Sequence, residues 1–131
     1  PDRPAVCFAG DGCFQMNLQE LGVALQYDVG LVILLFNNGM WGTIRAHQEN
    51  DFPGREIALT FTNPAFTTLV ESYGGLGEIV ERDEDFDAAF ERALAFAERE
   101  RRPALIELRY EADGIAPGKR LSAIREAALA R

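Results

Sequence analysis

Leu31-Val32-Ile33-Leu34-Leu35-Phe36 is the stretch that most constrains the fold. Six consecutive apolar residues lie between two turn-forming segments, Asp28-Val29-Gly30 and Asn37-Asn38-Gly39. A strand with one wet face would alternate polar and apolar residues. This run does not, and it predicts a strand buried on both faces, as parallel strands are when helices cover each side. It is also far short of the roughly 18 apolar residues of a membrane span.

The rest of the chain alternates in the way such a sheet requires. Pro4–Ala9 and Pro103–Leu108 read as further strands, and Glu78–Val80 as a short one. Asn17-Leu18-Gln19-Glu20 reads as a helix cap with an acid three residues on, followed by Leu18, Leu21, Gly22 and Leu25 at helical spacing. Asn63-Pro64 predicts the start of a helix running to Tyr73. Asp83 is expected to cap a longer helix, with Phe86, Ala89, Phe90, Leu94 and Ala97 lining one face. A loop with Gly114, Pro117 and Gly118 should lead to a terminal helix capped near Ser122. The fold class expected is α/β: a doubly wound, mostly parallel sheet flanked by helices, with right-handed crossovers.

In such sheets ligands bind at the carboxyl ends of the strands. Two polar, glycine-containing turns fall there, Gly10-Asp11-Gly12 and Asn37-Asn38-Gly39. The glycines allow a ligand close to the backbone, and a helix N-terminus after the first turn favours an anion. Asp11 repels a phosphate directly but can hold one through a divalent cation. Oxygen ligands suit magnesium, which uses one or two carboxylates plus substrate phosphates. Amide or carbonyl oxygens from Asn37 or Asn38 would complete such a clamp, and spacing alone does not choose between the two. Either turn taken singly also reads as an ordinary Asx turn.

Composition narrows the classes. The chain has 131 residues, room for one domain (1–131). Its 13 basic and 21 acidic residues leave a net charge of −8, against a nucleic-acid-binding face. Cys7 and Cys13 are the only cysteines, read as free thiols of a reducing, cytoplasmic compartment. No membrane segment or signal peptide is expected. There is no GxGxxG after the first strand, which weakens a nicotinamide-binding reading.

The stretch GDGCFQMNLQELGVALQYDVGLVILLFNN resembles the thiamine-diphosphate motif, Gly-Asp-Gly and Asn-Asn separated here by 24 residues. Together with PAVCFAGDGCFQMNLQEL, RPALIELR and, more loosely, GIAPGKRLSAIRE, the chain is similar to the pyrophosphate-binding domain of the acetolactate synthase and pyruvate decarboxylase group. That resemblance implies thiamine diphosphate and Mg2+ as cofactors. It implies Asp11 and Asn38 as metal ligands through side-chain oxygens and Met40 through its main-chain carbonyl, with Asn37 shaping the turn. Gly10, Gly12 and Cys13 would meet the diphosphate, and Trp41, Gly42 and Thr43 would continue its wall. His47 and Arg45 are candidates to face substrate, or are surface groups. Some decarboxylases carry a glutamate six residues after the second Asn; Ile44 stands there in this chain, which favours an acetolactate synthase-like or lyase reaction on a 2-keto acid.

The resemblance also implies parts lying elsewhere. The catalytic glutamate belongs to a pyrimidine-binding domain of the same or a neighbouring subunit, so a homo-oligomer is expected. A strand, helix and Gly-rich segment are expected before Pro1-Asp2-Arg3, which resembles the loop after that helix. The chain then reads as a fragment truncated at its N-terminal edge and inactive in isolation. The alternative is a non-catalytic doubly wound domain binding another phosphate ligand.

Overall fold

The computed structural model describes residues 3–131. In chain order its elements are β1 (Val6–Gly10), α1 (Asp11–Asn17), α2 (Glu20–Gln26), β2 (Leu31–Asn37), α3 (Gly42–Asp51), α4 (Phe66–Ser72), β3 (Leu76–Val80), α5 (Phe86–Glu100), β4 (Pro103–Arg109), β5 (Gly114–Ala116), β6 (Lys119–Arg120) and α6 (Leu121–Leu129). Pro1 and Asp2, part of the expected leading loop, lie outside the described residues. The chain forms two compact units, Pro1–Asn37 with Asn63–Arg109, and Asn38–Thr62 with Tyr110–Arg131.

The first unit is built on a four-stranded parallel sheet of order β1-β2-β4-β3. The apolar run occupies a central strand, and β2 pairs with β4 from Leu31↔Pro103 to Asn37↔Arg109. Successive side chains of β2 point to opposite faces. Ile33 and Leu35 join Leu105, Leu21, Phe66 and Val70, so α1, α2 and α4 cover one face. Val32 and Leu34 join Ala104, Ile106 and Val80 beneath Ala89, Ala93 and Ala97 of α5 on the other. Helices therefore lie on both faces of a parallel sheet, as the doubly wound α/β class requires. β1 forms one edge, and Phe8 on it is 69% exposed.

Several local expectations change. Asn17 does not cap a helix: it ends α1, and α2 begins at Glu20 without a side-chain cap bond. A turn from Leu21 N–H to the Leu18 carbonyl (3.1 Å) joins the two helices, so the apolar spacing persists across the break. Asp83 opens a short 3-10 turn, Asp83–Asp85, and α5 starts only at Phe86. β3 begins two residues earlier than expected, at Leu76.

In the second unit the expected terminal loop contains an antiparallel ribbon, β5 with β6. Its helix α6 is capped from a distance rather than by Ser122. The Asp113 carboxylate accepts hydrogen bonds from the Ser122 N–H and hydroxyl, both 2.8 Å. The first of these is the main reason the Asp113 carboxyl is held below its ordinary value. The segment after Asn38, whose sequence shows a helical period only over Thr43–Gln48, is regular helix from Gly42 to Asp51.

Small residues on α5 let its backbone lie close to the sheet. A Cβ at Gly30 would stand 2.0 Å from the Ala97 carbonyl oxygen, whereas at Gly22 it would meet only Tyr73 at 3.8 Å. Gly30→Ala is therefore expected to destabilise the intact protein by about 1–3 kcal/mol through overpacking. Gly22→Ala, inside α2, should stabilise it by roughly 0.5–1 kcal/mol. Urea unfolding of the two variants measures both signs.

Candidate functional site

Asp11 sits where β1 ends and α1 begins, and it is 2% exposed. A carboxylate buried this far is costly unless hydrogen bonds or a cation meet it. Gly12 N–H donates to its Oδ1 at 3.0 Å, and the Asn63 amide donates to Oδ2 at 2.7 Å. Asn63 also donates to Asn37 Oδ1 at 2.7 Å and accepts from Gln15 Nε2 at 2.8 Å. Asn37, the last residue of β2, donates in turn to Glu107 Oε1 at 2.7 Å. Glu107 is itself 2% exposed and accepts from Arg109 Nε at 2.8 Å.

Asn63 serves a different purpose from the helix cap its sequence context predicts. It was expected to cap a helix, but α4 begins at Phe66 with Ala65 at the cap position and no side-chain cap bond. Its amide is committed to Asp11, Asn37 and Gln15 instead. Asn-Pro before an apolar-periodic run is a sound helix-start signal, and nothing local distinguishes this longer-range use. Asn37, likewise, does more than shape a turn: its side chain joins β2 to β4 through Glu107. Around the Gly10 turn, Gly12 is buried and Cys13 exposed. A Cβ at Gly10 would meet only Cys13 Sγ, at 3.9 Å. Cys13 also lines a groove of about 570 Å³ with Phe8, Phe14 and Val23. Cys7 and Cys13 are both free thiols.

The second unit holds the remaining candidates. Asn38 Oδ1 accepts the Met40 N–H at 3.2 Å, an Asx turn that aims the amide oxygen. Met40 is buried, bridges to Thr60, and its carbonyl accepts Gly42 N–H at 3.0 Å. Trp41 N–H donates to the Leu59 carbonyl, and its ring stands edge-on to Phe61 at 5.3 Å. A Cβ at Gly42 would lie 3.0 Å from Asn38 Nδ2, so this glycine lets the chain fold tightly over the amide. Thr43 and His47 are exposed on α3. Asp11 carboxylate, Asn38 amide and Met40 carbonyl are all oxygen donors, the chemistry a hard cation such as Mg2+ takes.

Arg45 proves to be tied down within α3 and its neighbours. It lies 3.5 Å from Glu49 and 3.6 Å from Glu56, with side-chain exposure of 23%. Glu49, 1% exposed, also accepts from Gly54 N–H at 3.2 Å and from Arg125 of α6, whose Nε is 2.7 Å away. The Arg125 hydrogen bond is the main reason the Glu49 carboxyl falls from 4.5 to about 2, against burial, which raises it.

A parallel sheet wound on both faces, with a buried carboxylate at the carboxyl end of one strand, defines an α/β ligand-binding domain. Residues 1–108 match the family model described as thiamine pyrophosphate enzyme, C-terminal TPP-binding domain, and the chain belongs to that family. Sulfoacetaldehyde acetyltransferase of Alcaligenes xylosoxydans is 29% identical over 108 residues, 82% of this chain and 18% of that protein. The acetolactate synthase large subunit of Haemophilus influenzae is 35% identical over 97 residues, 72% of this chain and 17% of the relative. A solved structure, the thiamine diphosphate-dependent 4-hydroxybenzoylformate decarboxylase of Rhodococcus jostii, matches with a TM-score of 0.76 and 35% identity. It covers 86% of this chain and 21% of that one. The chain spans less than a fifth of the length of these curated relatives. Among the described residues no helix is long and apolar enough to cross a membrane.

The Glu49 cluster generates a pH prediction. The unfolded chain protonates Glu49 near 4.5, the folded chain only near 2. Its contribution is therefore complete above the higher value and is lost as pH falls to the lower. The contribution is on the order of 3 kcal/mol. Arg125→Met, which leaves Glu49 buried without its main partner, is expected to cost about 2–4 kcal/mol at neutral pH. It should also flatten the acid limb of a stability–pH curve between those values, measured by urea unfolding.

Proposed function

We propose that residues 1–131 serve as the pyrophosphate-binding domain of a thiamine diphosphate enzyme that ligates or cleaves C–C bonds of 2-keto acids. In this reading Asp11 and Asn38 hold Mg2+ through side-chain oxygens and Met40 through its main-chain carbonyl. Gly10, Gly12, Cys13, Trp41, Gly42 and Thr43 line the diphosphate. The observation that carries it is the Asp11 carboxylate, buried at a strand's carboxyl end and oriented by two hydrogen bonds. Bound there, the cofactor supplies an electron sink for bond making or breaking at the 2-keto carbon. This chain's residues bind and orient; a pyrimidine-binding domain, from the same or a neighbouring subunit of a homo-oligomer, completes the centre. His47, exposed on α3, is a candidate to face substrate. Arg45, held by Glu49 and Glu56, steadies that helix.

Acetolactate synthase-like carboligation is the favoured reaction, supported by Ile44 standing where some decarboxylases carry a glutamate, beside the 35% identity to an acetolactate synthase large subunit. A 2-keto acid decarboxylase is the second reading, supported by the equal identity to the solved decarboxylase. Titration of the intact protein with thiamine diphosphate, with and without Mg2+, tests the site. Asp11→Ala should weaken Mg2+-dependent binding more than about 100-fold, since partners outside the ligand shell alone are worth 10–100-fold. Equal affinity with and without metal would overturn the clamp. Product analysis with pyruvate and with an aromatic 2-keto acid separates the two reactions, and the isolated 131-residue chain is expected to turn over neither.

A further inference from the structure

Four side chains from four parts of the first unit converge at the carboxyl ends of its strands: Asp11, Asn37, Asn63 and Glu107. Their hydrogen bonds form one chain whose direction is set at both ends. Carboxylates accept only, whereas an amide donates from nitrogen and accepts at oxygen. Glu107 therefore obliges Asn37 to present Nδ2 to it (2.7 Å) and Oδ1 to Asn63. Asp11, at the other end, obliges Asn63 to present Nδ2 as well. Both Asn63 demands are for the same nitrogen, which has two hydrogens to give. Its oxygen is left facing Gln15 Nε2, which donates at 2.8 Å. No amide in the chain can turn over without setting acceptor against acceptor.

We infer that Asn63 is a positioning residue: its amide sets the rotamer of the Asp11 carboxylate and locks it to the ends of β2 and β4. With Oδ2 held by Asn63 and Oδ1 by Gly12 N–H, the carboxylate plane is set by a bond on each oxygen. Asn37 and Asn63 thus carry the rigidity of the central β2–β4 pair to the start of α1, the last bond joining residues 52 apart in sequence. Glu107 is anchored in turn by Arg109, which also reaches Glu81 at 3.2 Å. What Asp11 holds rests on the cofactor reading above; that Asn63 orients it does not.

The test measures Mn2+ affinity, as a stand-in for Mg2+, by electron paramagnetic resonance of the intact protein with thiamine diphosphate. Asn63→Ala should weaken Mn2+ binding by roughly 10–100-fold with the folded fraction unchanged. Asn63→Asp, nearly isosteric but facing two acceptors with a third, should do worse than Asn63→Ala. Gln15→Glu acts without touching Asn63: an acceptor there calls for the amide to turn, and several-fold weaker binding is expected. It stands in if the Asn63 variants do not fold. Unchanged affinity per folded molecule in these variants would overturn the inference while leaving the cofactor reading intact. If the unsubstituted protein binds no Mn2+ with the cofactor, that reading falls and crystallography decides. An Asp11 carboxylate unmoved in the variant overturns the positioning role, and a reoriented one supports it.

Discussion

The first unit depends on one pairing, β2 with β4, in register over seven residue pairs from Leu31↔Pro103 to Asn37↔Arg109. Apart from Glu107 and the terminal Asn37 and Arg109, both strands are apolar on both faces, so neither can be stable without helices on each side. That demand accounts for the disposition of the covering elements. Phe66 and Val70 of α4 and Leu21 of α2 fill one face, and the alanines of α5 the other. Alanine at 89, 93 and 97 brings α5 near enough that Gly30 has no room for a Cβ. Buried apolar area at roughly 25 cal/mol per Å² supplies the stabilisation. The close packing selects which side chains may supply it.

The buried acids among the described residues are managed in two ways. Asp11 meets the Asn63 amide and a backbone N–H, and Glu107 meets both the Asn37 amide and Arg109. Glu49, in the second unit, meets guanidinium groups directly, and its carboxyl falls to about 2. The chemical difference matters. A carboxylate held by guanidinium groups is a structural pin; for Asp11, held by an amide and a backbone N–H, the role proposed above is to hold a hard cation through its oxygens.

Much of this was legible in advance. The six-residue apolar run announced a doubly buried strand, and its partner Pro103–Leu108 was recognisable by the same logic. The Gly-Asp-Gly and Asn-Asn turns announced the thiamine-diphosphate family, and the family match over residues 1–108 agrees. The errors cluster at helix starts. Asn17, Asn63, Asp83 and Ser122 all carry good capping chemistry, and none of them caps by its side chain in the structure. Capping propensity reflects what a short polar side chain can do locally. It carries no information about a better partner fifty residues away.

The sequence by itself determined the strand-and-helix alternation, the doubly wound class, and the residue types offered at the strand ends. It could do so because apolar periodicity and turn chemistry act over a few residues. Only the tertiary structure decided that Asn63 leaves its helix to orient Asp11, that Asn37 faces Glu107, and that Arg45 belongs to Glu49. Those assignments depend on which side chains the sheet brings within about 3 Å, the length at which a hydrogen bond forms.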